Sequence, residues 1–226
     1  MSTILSWDQV GDRRYETGID RGVLYLPDGN VVPWNGLVSV TENTEREMKS
    51  YFLDGIKFAD HVVPGSYSAK LGAFTYPDEL DDLIGNGLYA PGVVVHDQRS
   101  KLFHLSYRTR EADDLDADAA YKIHIVYNVV AIPGSTALNT LSDTPAPSLF
   151  EWSLSATPSR MFGIRPTAHL SLHSRTIDPE VLQDIENLLY GRAFVDEDNP
   201  EILPSLPGLP ELLELIPLTD GGGGGP

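Results

Sequence analysis

Three aspartates, Asp114, Asp116 and Asp118, occupy the first, third and fifth places of a loop that could hold calcium. Such a loop also needs a glycine at its sixth place for a sharp turn and a glutamate at its twelfth for bidentate ligation. Those places hold Ala119 and Ile125, so the stretch reads better as a solvated acidic loop. His169 and His173 have the i, i+4 spacing of a helical zinc pair, but they lie in an alternating, strand-like stretch. Four residues there span roughly 13 Å, too far for one ion to bridge. His104 and His124 stand on stretches that would be neighbouring strands, with no third ligand evident beside them. Carboxylate pairs are so numerous that spacing singles out none as a glycosidase-like acid and base. The sequence has no Gly-x-Ser-x-Gly elbow, phosphate loop, Gly-x-Gly-x-x-Gly or His-Glu-x-x-His. No catalytic, cofactor-binding or metal-binding residue is therefore assigned, no cofactor is expected, and the chain reads as non-enzymatic. Trp34, Tyr51, Tyr107, Tyr127 and Trp152 could line a sugar-binding face, although aromatics at strand spacing are more often core or interface anchors.

The elements that would carry these residues are mostly strands. In Tyr121–Ala131, YKIHIVYNVVA, every odd position is apolar or aromatic, whereas the even positions turn apolar only towards the end. That alternation predicts a central strand, half exposed at its start and buried on both faces at its finish. Further strands are predicted at 22–26 before the turn Pro27-Asp28-Gly29-Asn30, at 31–40 around Trp34, and at 67–74. Asp54-Gly55 between apolar runs at 50–53 and 56–59 is a hairpin signal, and Gly36 marks a bulge or close approach. Residues 41–49 fit a short helix or an extended loop. Residues 76–91 read as loop, 93–95 and 101–107 as a hairpin, and 110–120 as a surface loop. One-sided strands follow at 150–156 and 168–173.

One helix is clearly written, at about 179–190. Asp178 is its N-cap candidate, Pro179 opens it, and Val181, Leu182, Ile185, Leu188 and Leu189 form its apolar stripe before Gly191. From Asp196 the chain becomes a Pro, Leu and acidic arm that docks its leucines, with a short helix at 210–216 and a glycine run at 221–225. The expected organisation is a mainly β domain over 1–195, a β-sandwich or barrel-like pair of sheets with one flanking helix, followed by the extended arm and Gly-rich end over 196–226.

Charge narrows the partners. The 226 residues include 33 acidic and 16 basic ones, for a net charge of −17, which disfavours a phosphate-neutralising nucleic-acid surface. The tail from Asp178 onward carries −10 of that charge. The absence of cysteine excludes disulfides, zinc-thiolate sites and thiol catalysis. No run of eighteen apolar residues and no basic, apolar leader occurs, so neither a membrane span nor a secretion signal is expected.

Taken in order, GVLYLPDG, VPWNGLVSV, YFLDGIKF, AFTYPDEL, LFHLSYRT, YKIHIVYNVVA, FEWSLSATP, RPTAHLSLHS and IENLLYG resemble the major tail proteins of long-tailed bacteriophages of actinobacteria. The likeness runs over most of residues 7–192 and rests on the whole series. It implies a structural virion protein of the tail, made in the host cytoplasm. Its subunits would form stacked hexameric rings, with a continuous inner β-barrel through which genomic DNA passes without specific binding. Partners would be other copies of the chain and other tail proteins at the tube ends, with no membrane. A closed ring would also cover open sheet edges, and lumen-facing carboxylates, among them those of 111–118, would repel the passing genome. Arm truncation from Asp196 is expected to leave folded monomers that assemble poorly. The glycine run allows a minor C-terminally extended form. The alternatives are a minor or adaptor tail protein of the same fold, and a β-sandwich carbohydrate-binding module on the virion surface.

Overall fold

A computed structural model describes residues 7–11, 13–43, 48–62, 65–138, 140, 147–160, 164–196 and 199–217. Its strands are β1 (Tyr15–Tyr25), β2 (Val31–Trp34), β3 (Leu37–Asn43), β4 (Met48–Leu53), β5 (Ile56–Val62), β6 (Ser68–Ala73), β7 (Gly87–Ala90), β8 (Val93–Val95), β9 (Phe103–Ala112), β10 (Ala120–Pro133), β11 (Phe150–Ala156) and β12 (His169–His173). Its helices are α1 (Glu79–Leu83), α2 (Pro179–Tyr190) and α3 (Leu209–Glu214). The fold is mainly β.

The predicted central strand is the spine of the main sheet, whose order is β2-β1-β9-β10-β11-β6-β3, with β12 also paired to β10. One edge of β10 pairs with β9. The other edge is divided, Lys122–Val126 pairing with β12 and Val129–Pro133 with β11. The division coincides with a bulge between Val126 and Val129, where Asn128 has a φ of 52°. Asparagine tolerates this left-handed conformation better than most residues. Its side chain fixes the kink by donating to Ser159 Oγ at 2.9 Å.

Burial on both faces falls at His124–Tyr127 rather than at the finish, where Asn128 and Val130 are half-buried, and the bulge also switches which face the odd positions take. Before it, Ile123, Ile125 and Tyr127 face one cluster with Val23, Tyr25 and the helices. After it, Val129 and Ala131 face a second cluster with Trp34, Leu71, Phe103 and Trp152. An extra residue in a strand reverses the facing of all that follow. The sheet thus has two dry faces. One is covered by α2 and α3, and the other lies inside the curl formed as β11, β6 and β3 swing back towards β1. A Cβ on Gly22 of β1 would lie 2.5 Å from a Leu37 methyl of β3, which shows how closely the two ends approach. β1 and β3 do not pair, so the described residues form no closed barrel.

α2 forms as its cap and stripe predict. The Asp178 carboxylate accepts from the Glu180 and Val181 amides, and Leu182, Ile185 and Leu189 are buried. The arm docks too, burying Leu209 and Leu212 of α3 in the same cluster. Truncation from Asp196 would strip both leucines from that cluster. Destabilisation of the body is therefore expected, in contrast to the folded monomers anticipated from sequence. The glycine run lies outside the described residues.

Other expectations change. Residues 41–43 continue β3 and 48–49 open β4, so the described part of 41–49 is strand. The supposed loop 76–91 contains α1 and β7. β8 pairs with β7 around Pro91-Gly92, while β9 lies between β1 and β10, so there is no 93–107 hairpin. Pro91 followed by Gly92 at a φ of 78° suits a tight turn, and that turn chemistry outweighed the loop-like composition. The predicted loop 110–120 is shorter, because its ends belong to β9 and β10. Gly36 is a close approach as expected. Its φ is 82° and an added Cβ would meet Thr75 Oγ1 at 2.3 Å.

Candidate functional site

The inside of the curl is not uniform. Around Trp34 and Trp152 it is apolar, the two rings meeting edge to face at 5.3 Å between centroids. Towards the start of β10 it becomes polar. Strand alternation puts Val126 and His124 on the same inner face, and registers His169 of β12 opposite Val126. β9 contributes Tyr107, paired with His124. From β3, two residues beyond the inward-facing Val40, Glu42 reaches across to all of them.

These groups meet closely. His124 Nδ1 lies 3.1 Å from His169 Nε2 and 3.4 Å from Glu42 Oε1, and His169 Nε2 lies 3.9 Å from the same oxygen. His124 Nε2 is 3.1 Å from Thr109 Oγ1. The Tyr107 hydroxyl donates to Glu42 Oε1 and sits 3.0 Å from the Tyr67 hydroxyl. The Tyr107 and His124 rings stack at 4.8 Å and the two imidazoles at 5.3 Å. His124 is buried, whereas Glu42 and His169 are half-buried. The contact with His124 is the largest influence on Glu42, and with the Tyr107 hydroxyl it outweighs burial, drawing the carboxyl down to about 2. Burial, then the neighbouring His124, holds His169 below the ordinary imidazole range despite the opposing Glu42 charge. Burial pushes the phenols of Tyr67 and Tyr107 up. At neutral pH the cluster thus offers one carboxylate and a neutral His169 beside His124.

The other residues considered for chemistry are dispersed. Asp114 accepts from the Gly11 amide, Asp116 from the Asp118 amide, and Asp118 pairs with Arg110 at 2.9 Å. Glu111 and Asp113 hold Arg175 at 2.8 and 3.1 Å. The acidic loop is thus tied to arginines and backbone rather than converging on an ion. His104 does not neighbour His124. It packs against Tyr127 on the opposite face, where its Nδ1 accepts from the Asn128 amide. His173 lies exposed at the far end of β12. Of the five aromatics considered for a sugar face, Trp34, Tyr107, Tyr127 and Trp152 are buried and Tyr51 alone is exposed. The sequence placed His124 and His169 on strands. Glu42 escaped notice because its approach depends on the curl, which no local pattern encodes.

A second candidate surface lies outside the sheet. Among the described residues β4 and β5 pair only with each other, through Asp54 and Gly55 at φ values of 49° and 77°. Two positive φ angles define the two-residue turn that Asp-Gly favours. Every residue of both strands is exposed, although they include Tyr51, Phe52, Leu53, Ile56 and Phe58. Phe58 is 74% exposed and Ile56 73%. The β7–β8 hairpin likewise exposes Leu88, Tyr89 and Val93.

Among the described residues no helix is long and apolar enough to cross a membrane. No family model and no curated protein matches the chain. Solved structures do. The chain is similar to a component of the PVC sheath-tube complex of an extracellular contractile injection system in its extended state, at 14% identity, over 67% of this chain and 88% of that one, with a TM-score of 0.39. It is also similar to a chain of the anti-feeding prophage cap, described as the AFP tube terminating cap, at 12% identity over 76% and 95% of the two chains, with a TM-score of 0.37. A third is a chain of the PVC sheath/tube terminator, at 14% identity over 70% and 97%, with a TM-score of 0.38.

Proposed function

We propose that this chain is a structural subunit of a bacteriophage tail tube, a major tail protein whose hexameric rings stack into a tube for genome passage. The observation that carries assembly is the β4–β5 hairpin. It has strand-forming apolar residues on a properly turned ribbon, yet not one of them is buried. Contiguous exposed apolar surface marks an interaction site, and an isolated two-stranded hairpin is marginal without packing. A second copy of the chain is the occupant this reading assigns to it.

The ordered series of tail-protein-like segments supports the same reading, as does the acidity of the chain. A ring of subunits multiplies the −17 charge of each, and a lumen wall without a basic surface would not retain DNA. Stacking of one ring on the next joins unlike faces of the subunit, and such contacts propagate into open filaments. No catalytic role is included. The other partners are tail proteins at the tube ends, and the location is the virion.

Electron microscopy of the purified, concentrated chain tests the proposal, together with its copy number in virions by quantitative mass spectrometry. Hollow tubes with a regular axial repeat, and many copies per particle, are expected. Persistent monomers with a handful of copies per particle would replace the tube subunit with an adaptor of the same fold.

A further inference from the structure

We propose that Glu42, His124 and His169 form a binding site for a divalent transition-metal ion of the zinc class, which staples β3 to β10 and β12. Each supplies one ligand atom, Glu42 Oε1, His124 Nδ1 and His169 Nε2. Their separations are 3.1, 3.4 and 3.9 Å. A tetrahedral ion with metal–ligand bonds of about 2.0–2.1 Å requires ligand atoms about 3.3 Å apart, a value those separations bracket. The atoms therefore already outline one face of a coordination tetrahedron. Two imidazoles and one carboxylate with an open fourth position are a ligand set suited to zinc.

The surroundings fit as well. A ligating imidazole is normally oriented through its other nitrogen, and a ligating carboxylate by further hydrogen bonds. Here His124 Nε2 has Thr109 Oγ1 at 3.1 Å, which leaves Nδ1 as the nitrogen with a free lone pair when Nε2 carries the proton. The Tyr107 hydroxyl donates to Glu42 Oε1, and Tyr67 backs that hydroxyl at 3.0 Å. With His124 protonated on Nε2, the 3.1 Å contact between the imidazoles needs the His169 Nε2 proton. Metal binding then requires neutral His169 to carry its proton on Nδ1 instead, which frees Nε2 for the ion. Entry is open, because Glu42 lines three surface cavities, among them one of about 250 Å³ beside His169 and one of about 450 Å³ beside His124. Either supplies a water for the fourth position.

The consequence is mechanical. Among the described residues β3 ends the main sheet and pairs only with β6. A metal held jointly by β3, β10 and β12 ties this edge to the spine across the curl, fixing its width where the strands do not close by hydrogen bonds.

The test uses the full chain after dialysis against a chelator. Zinc binding is followed by calorimetry and thermal melting, and cobalt(II) substitution reads coordination through its visible spectrum. One equivalent of zinc, a raised melting temperature and a four-coordinate cobalt spectrum are expected. Glu42→Gln and His169→Gln should each weaken binding by roughly tenfold or more, since even indirect support of a metal ligand is worth about that much. His173→Ala, on the same strand but away from the cluster, should leave binding unchanged. Circular dichroism confirms the fold of each variant, and His169→Gln, at a half-buried position, serves if Glu42→Gln does not fold. Absence of cobalt and zinc binding by the wild-type chain would overturn the site, as would binding that survives in the folded variants or disappears in His173→Ala.

Discussion

β10 and the β4–β5 ribbon are made from similar residues and meet opposite fates. Both are rich in aromatic and branched side chains. In β10, Ile123, Ile125, Val126 and Val129 have no exposed surface, whereas Phe52, Ile56 and Phe58 are largely in solvent. Composition thus identifies both as strands but says nothing about what each packs against. β10 is satisfied within the chain by β9, β11, β12 and α2. The ribbon has its backbone ladder and polar side-chain contacts such as Ser50 and Lys57 to Asp60, but its apolar side chains stay exposed. Under the proposed assembly, the apolar residues that the ribbon leaves unburied are the ones a second copy would cover.

Substitution separates the two regions, most sharply at the spine. Ile125→Ala removes a buried side chain between the sheet and α2 and should cost about 2–5 kcal/mol, read as a lowered urea midpoint. A cost below that range would mean that the helical layer relaxes into the space and that the contrast with the ribbon is one of degree.

Asp20 lies where β1 leaves the core. Its carboxylate takes a two-pronged contact from Arg108 at 2.7 and 2.8 Å and a third from Arg110 at 2.9 Å. The Arg108 contact leads in holding its pKa below the usual aspartate value, against the effect of burial. Because the folded-state pKa is the lower one, this stabilisation is complete above the unfolded aspartate value of about 3.9. It disappears as pH falls through the depressed folded value. Asp20→Asn should cost about 2 kcal/mol at neutral pH and flatten the acid limb of stability measured by denaturation below pH ~4. An unchanged acid limb would remove Asp20 from the groups that hold β1 to β9.

At the helical cover, Asp178→Ala deletes the acceptor for two first-turn amides. The expected loss is about 1 kcal/mol, seen as a small fall in melting temperature. No loss would imply that packing of Leu182, Ile185 and Leu189 alone sets the start of α2.

These regions also differ in how legible they were. α2 could be read residue by residue because its cap, its N1 proline and its stripe are local signals, and the Asp54-Gly55 turn is local in the same sense. The alternation of β10 marks it as a strand but hides the reversal of its odd positions, because a lone Asn128 in the left-handed region leaves no periodic trace. The pairing of β8 with β7 rather than β9 was hidden by the two prolines and the glycines of 76–91. The Glu42 cluster needed four strands to be placed in space first. Histidines at 124 and 169 were visible as strand residues, but their shared face follows from a register between segments over forty residues apart.

The smallest expected change in stability belongs to the ribbon, and it carries the most about function. Phe52→Ser combined with Phe58→Ser removes two aromatics that are 65% and 74% exposed. Substitutions that touch nothing buried generally shift stability by no more than about 0.5 kcal/mol, so the denaturation midpoint of the monomer should hold. Tube formation, scored by electron microscopy and sedimentation, should be lost, because in the assembled state the same rings would be buried against a second copy and their removal would delete apolar contact at its centre. The two readouts must part company. A variant that still forms tubes at wild-type yield would show that neighbours meet elsewhere. A variant whose monomer is destabilised would show that the ribbon already packs within its own chain, and its resemblance to β10 would then be one of fate as well as composition.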